Sequence, residues 1–193
     1  MGLNLVNITS IEKLLEYHSQ GRRIKYLFFW NHIERGSTVS KACLSQWYEA
    51  PFVFEDEYYL TAEHFMMAQK AKLFNDMKSF EKILQANHPG EAKKIGREIK
   101  DFDEILWQRN RFKITKHGNM LKFNQNQKLK TFLLTTSNRI LVEASPKDMI
   151  WGIGLDEKNT NIENPFKWKG LNLLGFVLMA VRMELQHDEL LKK

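Results

Sequence analysis

Glu63 and Lys70 stand where ionisable side chains are expensive. The stretch Thr61-Ala-Glu-His-Phe-Met-Met-Ala-Gln-Lys70 has no interior glycine or proline and is rich in good helix formers. Thr61 is placed to cap the helix and Glu63 falls in its first turn. The spacing predicts a helix over 61–75. At helical periodicity Glu63, Met66, Met67, Lys70 and Phe74 share one face, with Phe65 opposite. A helix apolar on both sides should be covered all round. The two ionisable groups are separated by about 10.5 Å along the axis, too far for the one-turn ion pair of a helix surface. Each needs a partner in another segment or in a ligand. The bland account is a buried ion pair or a lysine whose stem is buried and whose ammonium reaches water. The chemical account is a carboxylate able to act as base or to stabilise positive charge, beside an amine whose pKa burial lowers.

Around this pair lie further polar and aromatic groups in otherwise apolar segments: Arg97, Trp107, Lys122, Asn124, Glu143, Asp148, Trp151 and Asn172. Singly each has an ordinary reading, a core tryptophan or a helix-end arginine. The elements that must position them follow from pattern. Residues 9–19 read as an amphipathic helix, Tyr26-Leu-Phe-Phe-Trp30 as a buried strand, and Pro51–Phe54 with Tyr58–Leu60 as a hairpin leading into the Glu63 helix. Helices are expected near 77–86, 89–99, 102–115 and 126–135, with Pro89 in a first turn and His117-Gly118 as a break. Ile140–Glu143 reads as a strand, 148–154 as a strand or strand-like loop with close-packed glycines, and 170–186 as a long core helix with Gly175 allowing close contact.

Composition restricts the options. With 193 residues, 43% hydrophobic and 12% aromatic, the chain can fill one core, and no shift in composition divides it. The formal charge of +6 comes from scattered lysines, which favours anionic ligands without demonstrating nucleic-acid binding. A lone Cys43 fits a reducing compartment. The opening residues do not read as a signal peptide, and the apolar run 171–181 is too short for a bilayer. A cytoplasmic protein is expected. There is no Walker-type phosphate loop, three-glycine dinucleotide fingerprint, His-Glu-x-x-His or Cys pair, and the six histidines lack ligand spacing. Neither a metal nor a cofactor is expected.

The order of motifs carries more than any one of them. Ser45-Gln-Trp-Tyr-Glu-Ala-Pro-Phe52, Thr61 through Ala71, Ala92-Lys-Lys-Ile-Gly-Arg97, Lys122-Phe-Asn-Gln-Asn126, Leu141-Val-Glu-Ala-Ser145, Asp148-x-x-Trp-Gly-Ile-Gly154, and Trp168-Lys-Gly-Leu-Asn-Leu-Leu-Gly175 through Arg182 follow one another. Together they resemble the NADAR, or YbiA-like, family from about Phe28 to Leu185. The first motif departs from the family in reading Leu44-Ser45-Gln46, and the hairpin turn Glu55-Asp-Glu57 lacks the expected glycine.

The resemblance implies a helix-rich α+β domain with a small, mostly antiparallel sheet, spanning 26–188, with residues 1–25 as an N-terminal extension packed on or near it. It implies an N-glycosidase acting on a phosphoribosylamino-pyrimidine of riboflavin synthesis or, alternatively, removing ADP-ribose from guanine bases, including ADP-ribosylated nucleic acid. It also implies Glu63, Trp107, Asp148 and Trp151 as functional positions, with Lys70 a catalytic partner. Hydrolysis of such a bond builds positive charge on the ribose C1, which Glu63 could stabilise or Glu63 could relieve by activating water, while Asp148 orients ribose or water. Trp107 or Trp151 would stack on the base, with Tyr48, Gly152 and Asn124 in the binding site and Arg97, Lys122 or Lys94 on a phosphate. Lys70 opens a second route, a Schiff base with the opened sugar. Two rivals make no turnover: a module that binds ADP-ribose or a nucleotide, and a single-strand nucleic-acid binder using the same aromatics and lysines.

Overall fold

The computed structural model describes residues 8–34 and 36–191. They fall into two compact units, one running from Gln46 to Lys130 and the other joining the chain up to Ser45 with the chain from Thr131 onward.

The unit beginning at Gln46 opens with an antiparallel hairpin, β2 (Glu49–Phe54) and β3 (Glu57–Thr61), in which Phe52 faces Tyr59 and Phe54 faces Glu57. The register shifts between Glu49 and Phe52, where Pro51 has no amide to give the ladder. Glu55 and Asp56 both occupy the left-handed region, with φ of 51° and 62°. That is the backbone of a tight hairpin turn usually given to glycine or asparagine. Lys72 holds this turn through an ion pair with Glu55 at 3.1 Å. The Thr61 hydroxyl then caps α2 (Ala62–Leu73) by accepting from the His64 amide.

Helix α2 is buried on nearly every side, as its apolar pattern predicts. Three helices pack on it: α3 (Met77–Gln85), α4 (Pro89–Arg97) and α5 (Glu104–Gln125). Two glycines permit the approach. A Cβ on Gly96 of α4 would lie 2.1 Å from the Met67 sulfur, and one on Gly118 of α5 would lie 2.5 Å from Cδ1 of Phe65. This corrects the expected break at His117-Gly118. The helix continues through it to Gln125, because Gly118 serves as a seat for the Phe65 ring, and tertiary packing outweighs its poor helix propensity.

In the other unit β1 (Tyr26–Phe29) and β4 (Ile140–Glu143) form a parallel pair, Tyr26 opposite Ile140 and Phe29 opposite Glu143. The α+β class is as expected, and among the described residues the sheet content is one antiparallel and one parallel ladder of two strands each. Parallel pairing needs a long crossover, and here the intervening chain includes the whole helical unit. Helix α7 (Leu173–Leu191) packs on β4, close enough that a Cβ on Gly175 would meet the Leu141 carbonyl oxygen at 2.0 Å. Asn172, at φ 53°, covers the free side of β4. Its Oδ1 accepts from the Glu143 amide at 3.0 Å and its Nδ2 donates to the Leu141 carbonyl at 2.9 Å. Helix α1 (Ile11–Ser19) packs on the 3-10 turn Pro165–Lys167, His18 standing edge-on to Phe166. The boundary between the units falls inside α6 (Gln127–Thr135). No helix among the described residues is long and apolar enough to cross a membrane.

Candidate active site

The unit with α2 holds the ionisable pair that the helix pattern singles out. Glu63 is 3% exposed and Lys70 8%. The Glu63 amide donates to the Gln46 carbonyl at 3.0 Å, so the first motif fastens the turn that carries the carboxylate. Asn119 of α5 extends the fastening by donating from Nδ2 to Gln46 Oε1 at 2.8 Å and to the Thr115 carbonyl at 2.9 Å.

Lys70 makes no ion pair with a carboxylate among the described residues. Its Nζ donates to the Gly96 carbonyl at 2.7 Å and lies 4.2 Å from the Phe102 ring centre and 5.5 Å from that of Trp107. Two aromatic faces and one carbonyl solvate the ammonium. Burial lowers the Lys70 pKa below that of an ordinary lysine, and the negative charge of Glu104 works in the opposite direction. The glycine that lets α4 close on Met67 also brings its carbonyl within reach of this amine.

Other expected residues of this unit divide by exposure. Lys122 is fully buried, its amine 5.6 Å from the Tyr48 ring centre and 5.3 Å from that of Phe123. Trp107 is 8% exposed, whereas Arg97, Lys94 and Asn124 face solvent. Lys70 and Trp107 are thus brought together, as are Lys122 and Tyr48.

In the unit with β4 the segment 148–154 is an irregular loop folded on Asp148, with no regular strand. Asp148 Oδ1 accepts from the amides of Ile150 and Trp151 at 2.9 and 2.8 Å, an Asx turn that fixes the half-exposed Trp151. Gly152 is where a side chain would not fit. Its Cβ would lie 2.9 Å from the Glu143 carbonyl oxygen and 3.0 Å from that of Asp148.

Sequence reasoning passed over Phe102, the Gly96 carbonyl and Glu104. Phe102 sits between Asp101 and Asp103 in a polar linker, where no periodicity marks it, and a backbone carbonyl leaves no signature in residue type. Among the described residues no three His, Cys, Asp or Glu side chains gather as a metal-ligand group.

Comparison with known proteins agrees with this arrangement of motifs. Over 169 residues the chain is 43% identical to an N-glycosidase of Acanthamoeba polyphaga mimivirus, covering 84% of this chain and 97% of that one. It is 32% identical to a riboflavin biosynthesis protein of Vibrio vulnificus over 74% of its own length, spanning 35% of that larger protein. The NMR structure of the Escherichia coli protein YbiA superposes with a TM-score of 0.70 at 24% identity, covering 98% of this chain and 96% of that one, and so shares the fold. The NADAR domain model matches residues 28–186, which takes in every motif from Ser45 to Arg182, and the chain therefore belongs to the NADAR domain family.

Proposed function

We propose that this protein is an N-glycosidase that hydrolyses the bond between ribose C1 and the amino nitrogen of a phosphoribosylamino-pyrimidine. The enzyme class is supported by the mimivirus N-glycosidase, which matches nearly end to end. The pyrimidine substrate rests on the more distant riboflavin biosynthesis relative. The observation that carries the chemistry is that one helix buries both a carboxylate and an amine, Glu63 and Lys70, the amine solvated by Phe102, Trp107 and one carbonyl.

Glu63 stabilises the positive charge that grows on C1 as the bond to the base breaks, or takes a proton from the attacking water. Water adds its oxygen to C1, and its proton leaves with the base. Asp148 acts through the loop it folds, presenting Trp151, and Arg97 or Lys94 meets the ribose phosphate. The aromatic surroundings of Lys70 favour a second route. Held away from water, the amine loses its proton more readily and attacks C1, the base departs with a proton, and the opened sugar remains as a Schiff base until water returns the amine.

The test is mass spectrometry of wild type and Glu63→Gln, each incubated with a phosphoribosylamino-pyrimidine and with ADP-ribosylated guanosine. Free base released from the pyrimidine alone, and lost in the variant, supports this reading. Release from guanosine alone moves the substrate to ADP-ribosylated bases. If both compounds stay intact while still raising the melting temperature, the protein is a binding module.

A further inference from the structure

Arg182 lies on α7, and none of the residues around it has been given a part in the reaction above. It is 6% exposed and borders a cavity of about 160 Å³ whose walls include Thr9, Ser137, Asn138, Met179 and Gln186. Its Nη1 donates to the Thr136 hydroxyl at 2.7 Å and to the Arg139 carbonyl at 3.0 Å. The Thr136 hydroxyl spends its own proton on the Leu133 carbonyl at 2.6 Å. If Arg182 served only to close the turn between α6 and β4, that single nitrogen would do it. Nε and Nη2 donate to no acceptor among the described residues, although a guanidinium has five donors in a fixed fork.

The charge around it is as one-sided as the hydrogen bonding. Among the described residues no carboxylate lines the cavity, and the charged neighbour acting on Arg182 is Arg139, of the same sign. Burying a cation beside another cation is costly unless a counter-charge joins them. The side chains of Ser137, Asn138 and Gln186, which line the cavity where it opens to solvent, also make no hydrogen bond to a described residue, so hydroxyl and amide donors are free to turn toward an anion. We infer that this cavity binds a small tetrahedral oxyanion of the phosphate class, taken in the fork of Arg182 with Ser137, Asn138 and Gln186 around it. The volume accommodates such an ion together with water. Burial and Arg139 push the Arg182 pKa down to about 10, and an oxyanion in the cavity relieves that strain on the charge.

The experiment is a ¹H–¹⁵N NMR titration of the full chain with inorganic phosphate, set against sodium chloride at matched ionic strength. Phosphate should move the amides of Ser137, Asn138 and Arg139 and the side-chain amides of Asn138 and Gln186 in one saturable process. Gln186→Glu leaves both hydrogen bonds of Arg182 in place but sets a carboxylate in the wall, and should weaken the effect by about tenfold or more. Arg97→Ala, at the phosphate subsite proposed for the substrate, should leave these shifts unchanged. Equal movement in chloride, full response in Gln186→Glu, or loss in Arg97→Ala would each overturn the site, whether or not the N-glycosidase reading holds.

Discussion

Lys70 on α2 and Arg182 on α7 are both buried cations without a carboxylate in ion-pair contact among the described residues, and they are solvated in opposite ways. Lys70 has one carbonyl and two aromatic faces, whereas Arg182 has a hydroxyl, a carbonyl and a cavity of mixed polar and apolar lining. A lysine in a dry setting can answer by giving up its proton, which creates a nucleophile. An arginine keeps its charge, so its setting must supply acceptors or admit an anion. In the two proposals above, the same +6 chain uses one buried cation for chemistry and the other for binding.

The largest expected effect breaks the lysine side of this contrast. Lys70→Arg preserves the charge but cannot lose a proton, so base release should fall by about 10²–10⁴-fold, and borohydride should trap a protein–sugar adduct in wild type only. An active Lys70→Arg with no adduct in wild type would reduce Lys70 to a fixed charge. Next in size is Gly118→Ala, whose methyl would be driven into the Phe65 ring. Urea unfolding should show a loss of about 1–3 kcal/mol, and an unchanged midpoint would mean that α5 can shift freely against α2.

Two pH effects sharpen the picture. A neutral Lys70 is the active form in the Schiff-base route, so activity should rise with pH along a limb below the ordinary lysine value of 10.5. Because Glu104 works against that shift, Glu104→Gln should move the limb lower still. A limb unmoved by the variant removes the neutral amine from the mechanism. Smallest is the contribution of His64, the residue after Glu63, bonded to the Thr61 hydroxyl at 2.8 Å and the Ala86 carbonyl at 3.1 Å. Burial, the main cause, holds its pKa below 6.5, with the hydrogen bond to the Ala86 carbonyl and then Glu91 opposing the shift and His88 adding to it. The unfolded chain takes up the proton first, so stability should decline as pH falls through about 6.5 and level off once the folded imidazole also protonates. Chemical denaturation across that range should flatten in His64→Gln; an equal slope in both proteins would show that another group sets the pH response.

Helical pattern alone placed the carboxylate and amine of α2 correctly, because period and charge are local properties of a sequence. The same is true of the cap at Thr61, of Pro89 in the first turn of α4 and of the glycine seat at Gly175. What local pattern could not supply was which glycine ends a helix and which admits a neighbour: Gly118 looks like a terminus until Phe65 is set against it. Nor could it show the parallel pairing of β1 with β4, which depends on segments far apart in the chain. The site was legible in part for the same reason. Lys70 announced that it needed a partner, but a backbone carbonyl at Gly96 and a ring at Phe102 could be found only in three dimensions.

Asn172 has a bearing on how the protein ages in storage. Its side-chain amide imitates a neighbouring strand and satisfies the unpaired side of β4 at Glu143 and Leu141, where Asn172 and Leu141 are both fully buried. Deamidation would turn the donor facing the Leu141 carbonyl into a repelling carboxylate oxygen and set an unpaired charge against the seat of α7 on β4, so that a damaged molecule loosens from within.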